Sequence, residues 1–95
     1  MQIVQSDVFT AWLDNVNDER AAARIVTRIR RMEIGNAGDV KSVGEGVSEI
    51  RIHYGPGYRV YFTRRGRTLV ILLCGGDKNS QRKDIALAKR MAKEA

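Results

Sequence analysis

Residues 47–63 read VSEIRIHYGPGYRVYFT, and the period of this run decides the fold. In the first half, Ile50, Ile52 and Tyr54 fall on one side while Glu49, Arg51 and His53 fall on the other. That two-residue alternation predicts a strand over 47–54. Gly55-Pro56-Gly57 turns the chain, because proline presets one turn position and glycine tolerates positive φ. The alternation resumes over 58–63, with Tyr58, Val60 and Phe62 opposite Arg59, Tyr61 and Thr63. Gly66 marks a second hairpin. Residues 69–74 are apolar throughout, which suits a central strand covered on both faces. Three successive strands make an antiparallel meander.

Upstream of the meander the period is 3.6. Ser6 is placed to cap a first helix carrying Val8, Phe9, Trp12, Leu13 and Val16 on one stripe. Asn17 or Asp18 is placed to cap a second, whose apolar side is Ala22, Ile25, Val26, Ile29 and Met32. Arg20, Arg24, Arg28 and Arg31 run down another side, the pattern of a solvated helix face or a surface for ribosomal RNA. Gly35 ends that helix, and 36–46 reads as a glycine-bearing loop. Residues 1–5 form an apolar lead-in able to serve as a fourth, edge strand. Asn79 or Ser80 opens a terminal helix with Ile85, Ala88, Met91 and Ala92 on its apolar side. The expectation is a single α+β domain over residues 1–95: two helices, a meander and a helix, with the helices mainly on one sheet face.

Charge is distributed unevenly. Residues 1–50 hold six Lys/Arg and eight Asp/Glu, a net −2; residues 51–95 hold eleven and three, a net +8. A basic half points to an anionic partner, nucleic acid first and an acidic protein second. The one cysteine, Cys74, excludes an internal disulfide or a multi-cysteine zinc site, and on an apolar strand it reads as core. No apolar run approaches the roughly 18–20 residues of a membrane span, and no secretion signal opens the chain. A soluble cytoplasmic protein is expected.

Arg51, His53, Arg59 and Tyr61 share the polar side of one strand pair, where cross-strand neighbours about 4.5–5.5 Å apart are able to hold one phosphate. Lys78 follows within Gly75-Gly76-Asp77-Lys78, a run without Walker spacing that reads as a strand-to-helix turn or as an anion-binding mouth. The bland readings are a solvated strand histidine, a sheet-covering tyrosine, an Arg51–Glu49 pair, and a solvated hairpin tip at Arg64, Arg65 and Arg67.

The run 48–62, the segment Leu72-Leu-Cys-Gly-Gly-Asp-Lys78 and the basic terminal helix together resemble the RelE/ParE toxin superfamily. Within it the chain is similar to the phage-associated, HigB-like addiction module killer branch, over essentially its whole length. The resemblance implies a RelE-like fold and a toxin silenced by a cognate antitoxin, the latter with a helix-turn-helix domain. The free toxin would be monomeric or weakly associated and would form a hetero-oligomer with that antitoxin. RelE-like members cut mRNA on the ribosome without metal or other cofactor; ParE-like members inhibit DNA gyrase without catalysis. An inactive antitoxin-binding module is a third reading.

On the first of these, Arg59, Arg51, His53 and Lys78 are the candidate catalytic residues, with Arg59 in the matching Gly-Tyr-Arg position. Tyr61, Arg64, Arg65, Arg67, Arg82 and Lys83 are the candidate RNA-binding residues. RelE has a tyrosine in its terminal helix where this chain, near Asp84, has none. HigB enzymes carry a histidine near the C-terminus, while the only histidine here is His53. The resemblance therefore leaves acid and base unassigned.

Metal-free RNA cleavage needs a base for the 2′-OH, cations for the phosphorane charge and an acid for the leaving oxygen. Arginine forks suit the second role, and histidine is the side-chain type that changes charge near neutrality. With Arg59 on an exposed side, its truncation would cost less than about 1 kcal/mol.

Overall fold

The computed structural model describes residues 1–95. The chain forms β1 (Gln2–Gln5), α1 (Asp7–Asp14), α2 (Glu19–Glu33), β2 (Val40–Gly44), β3 (Val47–Ile52), β4 (Tyr58–Arg65), β5 (Leu69–Asp77), a single 3-10 turn (Lys78–Ser80) and α3 (Gln81–Glu94). The expected caps close the first two helices. Ser6 Oγ accepts from the Phe9 N–H at 3.0 Å, and Asp18 Oδ1 accepts from the N–H groups of Arg20 and Ala21. Gly35, at φ 86°, follows the end of α2 in the left-handed region that glycine enters without penalty. Asp77 caps the 3-10 turn, its carboxylate accepting from the Asn79 and Ser80 N–H groups, and Ser80 stands at the expected N-cap position of α3 without a side-chain cap bond of its own.

The fold is α+β, with a five-stranded mixed sheet in the order β1-β5-β4-β3-β2. The meander β3-β4-β5 lies at its centre, and the lead-in strand β1 pairs parallel with β5. One strand was hidden in the sequence. Within the stretch read as a loop, residues 40–44 pair antiparallel with β3 and form the far edge. Five residues ending in glycine carry little apolar alternation, so the strand depends on its partner more than on its own pattern.

Helices cover both faces rather than mainly one. On one face α1 and α2 bury Phe9, Ile25, Ile29 and Met32 against Ile50, Ile52, Val60, Phe62, Val70 and Leu72. On the other, α3 lays Ala88 and Ala92 over Val47, Tyr61, Leu73 and Cys74. A strand that is apolar on both sides demands this, since either face left bare would expose β5 to water. The far end of α3 is held by ion pairs from Glu45 to Lys89 and Lys93, each 3.4 Å. Arg65 adds a 2.6 Å bond to the Ala92 carbonyl.

Gly75 and Gly76 lie inside β5 rather than in a turn, paired with Val60 and Arg59, so their backbone is not an open anion-binding loop. Each admits a close neighbour from one helical layer. A Cβ at Gly75 would overlap the Trp12 ring, and one at Gly76 the Asp84 carboxylate. Gly75→Ala is therefore expected to destabilise the protein by about 1–3 kcal/mol, as overpacking does. A denaturation midpoint equal to wild type would show that Trp12 does not pack on this strand.

Candidate nucleic-acid interface

The fold divides the candidate residues among separate places. Arg51 and Arg59 do face each other across β3 and β4. Two guanidinium groups in that register repel, and each has acquired its own carboxylate. Arg59 Nε lies 3.8 Å from Glu49 Oε2, and Arg51 Nη2 lies 2.8 Å from Asp39 Oδ1. The pairing of Arg51 with Glu49 considered from sequence does not form.

The polar side of the meander is not an open surface, because α3 lies on it. Arg59, Glu49 and Tyr61 are buried, with Arg59 only 7% exposed. Gln81, from the first turn of α3, donates to Glu49 Oε2 at 3.2 Å. Burial, with Glu49 and Asp84 nearby, holds the Tyr61 phenol far above its ordinary range, and its hydroxyl has no partner. Tyr61 therefore cannot stack on a base in this conformation, and Arg59 is not the freely exposed cation expected. Both corrections have one cause: strand alternation separates two sides but does not say which side a later helix will seal. Cys74 is core as expected, its thiol pushed up to about 12 by burial.

The arginines of the β4–β5 hairpin stand elsewhere. Seven residues separate Tyr58 from Arg65 along β4, about 23 Å at strand rise. Arg64 and Arg67 are exposed at that distant tip. Arg65 is tied to the carbonyls of Ala92 and Ala95 at the end of α3.

The groups left open gather where β3 runs into the Gly55–Gly57 turn. His53 is not a strand residue: β3 ends at Ile52, and the His53 side chain is 70% exposed. Its Nε2 meets Asp39 Oδ2 at 2.6 Å, while Asp39 Oδ1 accepts from Arg51 Nε and Nη2. The Arg51 guanidinium, then His53, hold the Asp39 carboxyl down at about 2, so it is a carboxylate throughout the neutral range. A carboxylate can only accept, so the contact places a proton on His53 Nε2, and in the neutral ring Nδ1 is then the acceptor.

Asp39 was missed from sequence because it lies in the stretch read as a loop. Arg28 puts it in place, donating to the carbonyls of Ala37, Asp39 and Arg51 at 2.9, 3.3 and 2.8 Å. Beside Arg28, Gly38 lies so close that a side chain there would press on the guanidinium.

Two clefts adjoin this dyad. One, of about 410 Å³, lies between α2 and the end of β3 and is lined by Ala23, Arg24, Thr27, Arg28, Arg31, Ile52 and His53. The other, of about 280 Å³, runs along the Gly55–Gly57 turn to Lys78. Lys78, Arg82 and Lys83 are exposed around the start of α3. A helix start already carries positive partial charge, so these cations strengthen an anion-attracting field there and gain nothing from the dipole. Of the sequence-nominated residues, His53 and Lys78 thus line one groove and the half-buried Arg51 adjoins it through Asp39, while the buried Arg59 approaches its edge at Gly57 only with Nη1 and Tyr61 does not line it.

No helix of the protein is long and apolar enough to cross a membrane. Over 94 residues the chain is 50% identical to a Haemophilus influenzae protein described as "Uncharacterized protein", covering 99% of this chain and 95% of that one. Residues 11–93, which hold every group of the site, match the family described as "Phage derived protein Gp49-like". With the match running from within α1 almost to the end of α3, the chain belongs to the Gp49-like family of phage-derived proteins.

Proposed function

We propose that this protein is the toxin of a toxin–antitoxin pair and that it cleaves RNA on the ribosome, with His53 as the proton-accepting group. The observation that carries the reading is the 2.6 Å contact between an exposed histidine and a carboxylate held ionised, on a rim rich in cations. The Gp49-like family and the RelE-like order of elements support the toxin context.

In this reading His53 Nδ1 takes the proton of a ribose 2′-OH, and the 2′ oxygen attacks the adjacent phosphorus. The bond to the 5′ oxygen breaks, leaving a 2′,3′-cyclic phosphate and a 5′-hydroxyl. Lys78, across the Gly55–Gly57 groove, steadies the charge on phosphorus and gives a proton to the leaving oxygen. Solvent then restores both groups. Asp39 fixes the ring and stabilises the imidazolium, and Arg51 fixes Asp39. Lys78, Arg82 and Lys83 attract the substrate.

A helix-turn-helix antitoxin with an acidic segment is the expected inhibitor, because the +8 half of the chain favours such a partner. The burial of Arg59 and Tyr61 favours a second reading, in which the scaffold inhibits gyrase or binds its antitoxin without cutting RNA.

Induced expression without the antitoxin, with RNA 5′ ends and DNA breaks mapped from the same cells, tests the proposal. Growth arrest with new 5′-hydroxyl RNA ends is expected. DNA breaks with intact RNA would assign the gyrase reading instead, and undisturbed growth would overturn the toxin assignment.

A further inference from the structure

The cleft between α2 and β3 has a composition that core packing does not require. Arg24, Thr27, Arg28 and Arg31 follow i, i+3, i+4 and i+7 spacing and so share one face of α2. Of the three arginines, Arg28 is committed to carbonyls of the 37–39 segment and of Arg51. Arg24 and Arg31 are exposed, and neither forms an ion pair. Arg24 instead lies over the Tyr54 ring, its guanidinium carbon 4.6 Å from the centroid, which orients the fork and leaves its hydrogen-bond donors unpaired.

His53 lines both this cleft and the groove that ends at Lys78. It is the one residue the two share, so an occupant continuous through both must pass over it. Seven residues from Arg24 to Arg31 amount to about 10 Å along the helix axis, with the committed Arg28 between them. That span suits an extended polyanion better than a single small phosphate.

The polyanion could in principle be an acidic protein segment. Only two of the seven lining residues, Ala23 and Ile52, are hydrophobic, which gives such a segment little apolar surface to bury. Guanidinium forks, a threonine hydroxyl and a neighbouring aromatic ring match the chemistry of phosphate, sugar and base.

We propose that the α2–β3 cleft binds the backbone of single-stranded RNA through Arg24 and Arg31 and leads it over His53 into the Lys78 groove. This deepens the endonuclease reading and rests on it for the role of His53.

The test is fluorescence anisotropy with the full chain and a short labelled single-stranded RNA made uncleavable by 2′-O-methyl groups. R24A/R31A is expected to bind about tenfold or more weakly and to reduce the salt slope by about 1.4, the value for two phosphate contacts to a single strand. R30A/R90A loses the same two charges from exposed positions outside the cleft and is expected to lose far less. R24Q/R31Q, checked by circular dichroism, keeps the test valid if the alanine variant misfolds. Equal losses in the R24A/R31A and R30A/R90A pairs would overturn the cleft assignment in favour of diffuse charge. A decaglutamate peptide that bound as tightly as the RNA and lost as much on R24A/R31A would overturn RNA in favour of an acidic protein. Growth arrest scored in parallel separates the two readings. A wild type that arrests growth while R24A/R31A still binds RNA normally removes the cleft alone. A harmless wild type that needs Arg24 and Arg31 for RNA removes the toxin reading alone.

Discussion

Arg59→Ala is expected to unfold this protein more readily by about 3 kcal/mol, whatever it does to activity. Glu49 is 2% exposed, and truncating Arg59 would leave that carboxylate buried without its cation. Breaking a buried pair from one side typically costs about 3–5 kcal/mol. The lower end applies here, because the contact is 3.8 Å and Arg59 Nε makes no hydrogen bond. This reverses the small cost expected for an exposed strand arginine.

Removing both charges should behave differently. In E49L/R59M two apolar side chains of similar volume replace the pair, and most of the lost stability is expected to return. Urea denaturation of the three proteins measures this. An R59A midpoint equal to wild type would mean that the side chain faces water and that α3 does not seal this face. Growth arrest by a folded E49L/R59M then assigns Arg59 its role. Continued arrest makes the arginine architectural, whereas a folded and harmless double variant would mean that α3 moves aside and Arg59 reaches the target.

His53→Gln is expected to lower RNA cleavage by about 100-fold or more while leaving RNA binding near wild type, the loss typical when a positioned base is removed. The side chain is mostly exposed and its one polar contact is Asp39, so stability should barely change. Asp39→Asn should lose about tenfold or more, because an amide no longer selects the Nε2-protonated ring. An H53Q protein that cleaves RNA at the wild-type rate would remove the histidine from the mechanism.

The same pair leaves a signature in acid. The Asp39 carboxyl is lowered from an ordinary 3.8 to about 2 in the folded chain. A carboxylate depressed by folding contributes stability that is complete above the ordinary value and is lost as pH falls through the folded one. Thermal midpoints should therefore fall between about pH 4 and pH 2 in the wild type and fall less in D39N, so that the wild type's advantage over D39N, constant near neutrality, narrows in acid. Identical acid limbs would show that Arg51 and His53 do not hold Asp39 in solution.

Local physics was legible in the amino-acid order alone. The alternation through residues 47–63, the caps at Ser6 and Asp18 and the doubly apolar strand before Gly75 specify the meander and the helices that flank it. Each depends on interactions between residues a few positions apart, or on a periodicity visible without a partner. The concentration of charge after residue 50 was legible for the same reason. The doubly apolar strand even carried the signal for helices on both faces, since both of its sides had to be covered.

Tertiary structure alone decided which cations remain available. Arg51 and Arg59 have the same strand pattern, yet one reaches Asp39 at the rim and the other lies beneath α3 with Glu49. The difference arises from the later placement of Gln81–Glu94, which no alternation within β3 and β4 encodes. Asp39 became visible only once Arg28 had drawn the carbonyls of residues 37 and 39 onto α2 and the short strand β2 had paired with β3. That strand has little periodicity of its own, and 14 residues separate Asp39 from His53. A dyad of this kind is created by long-range closure, so it belongs to the folded chain and to no window of its sequence.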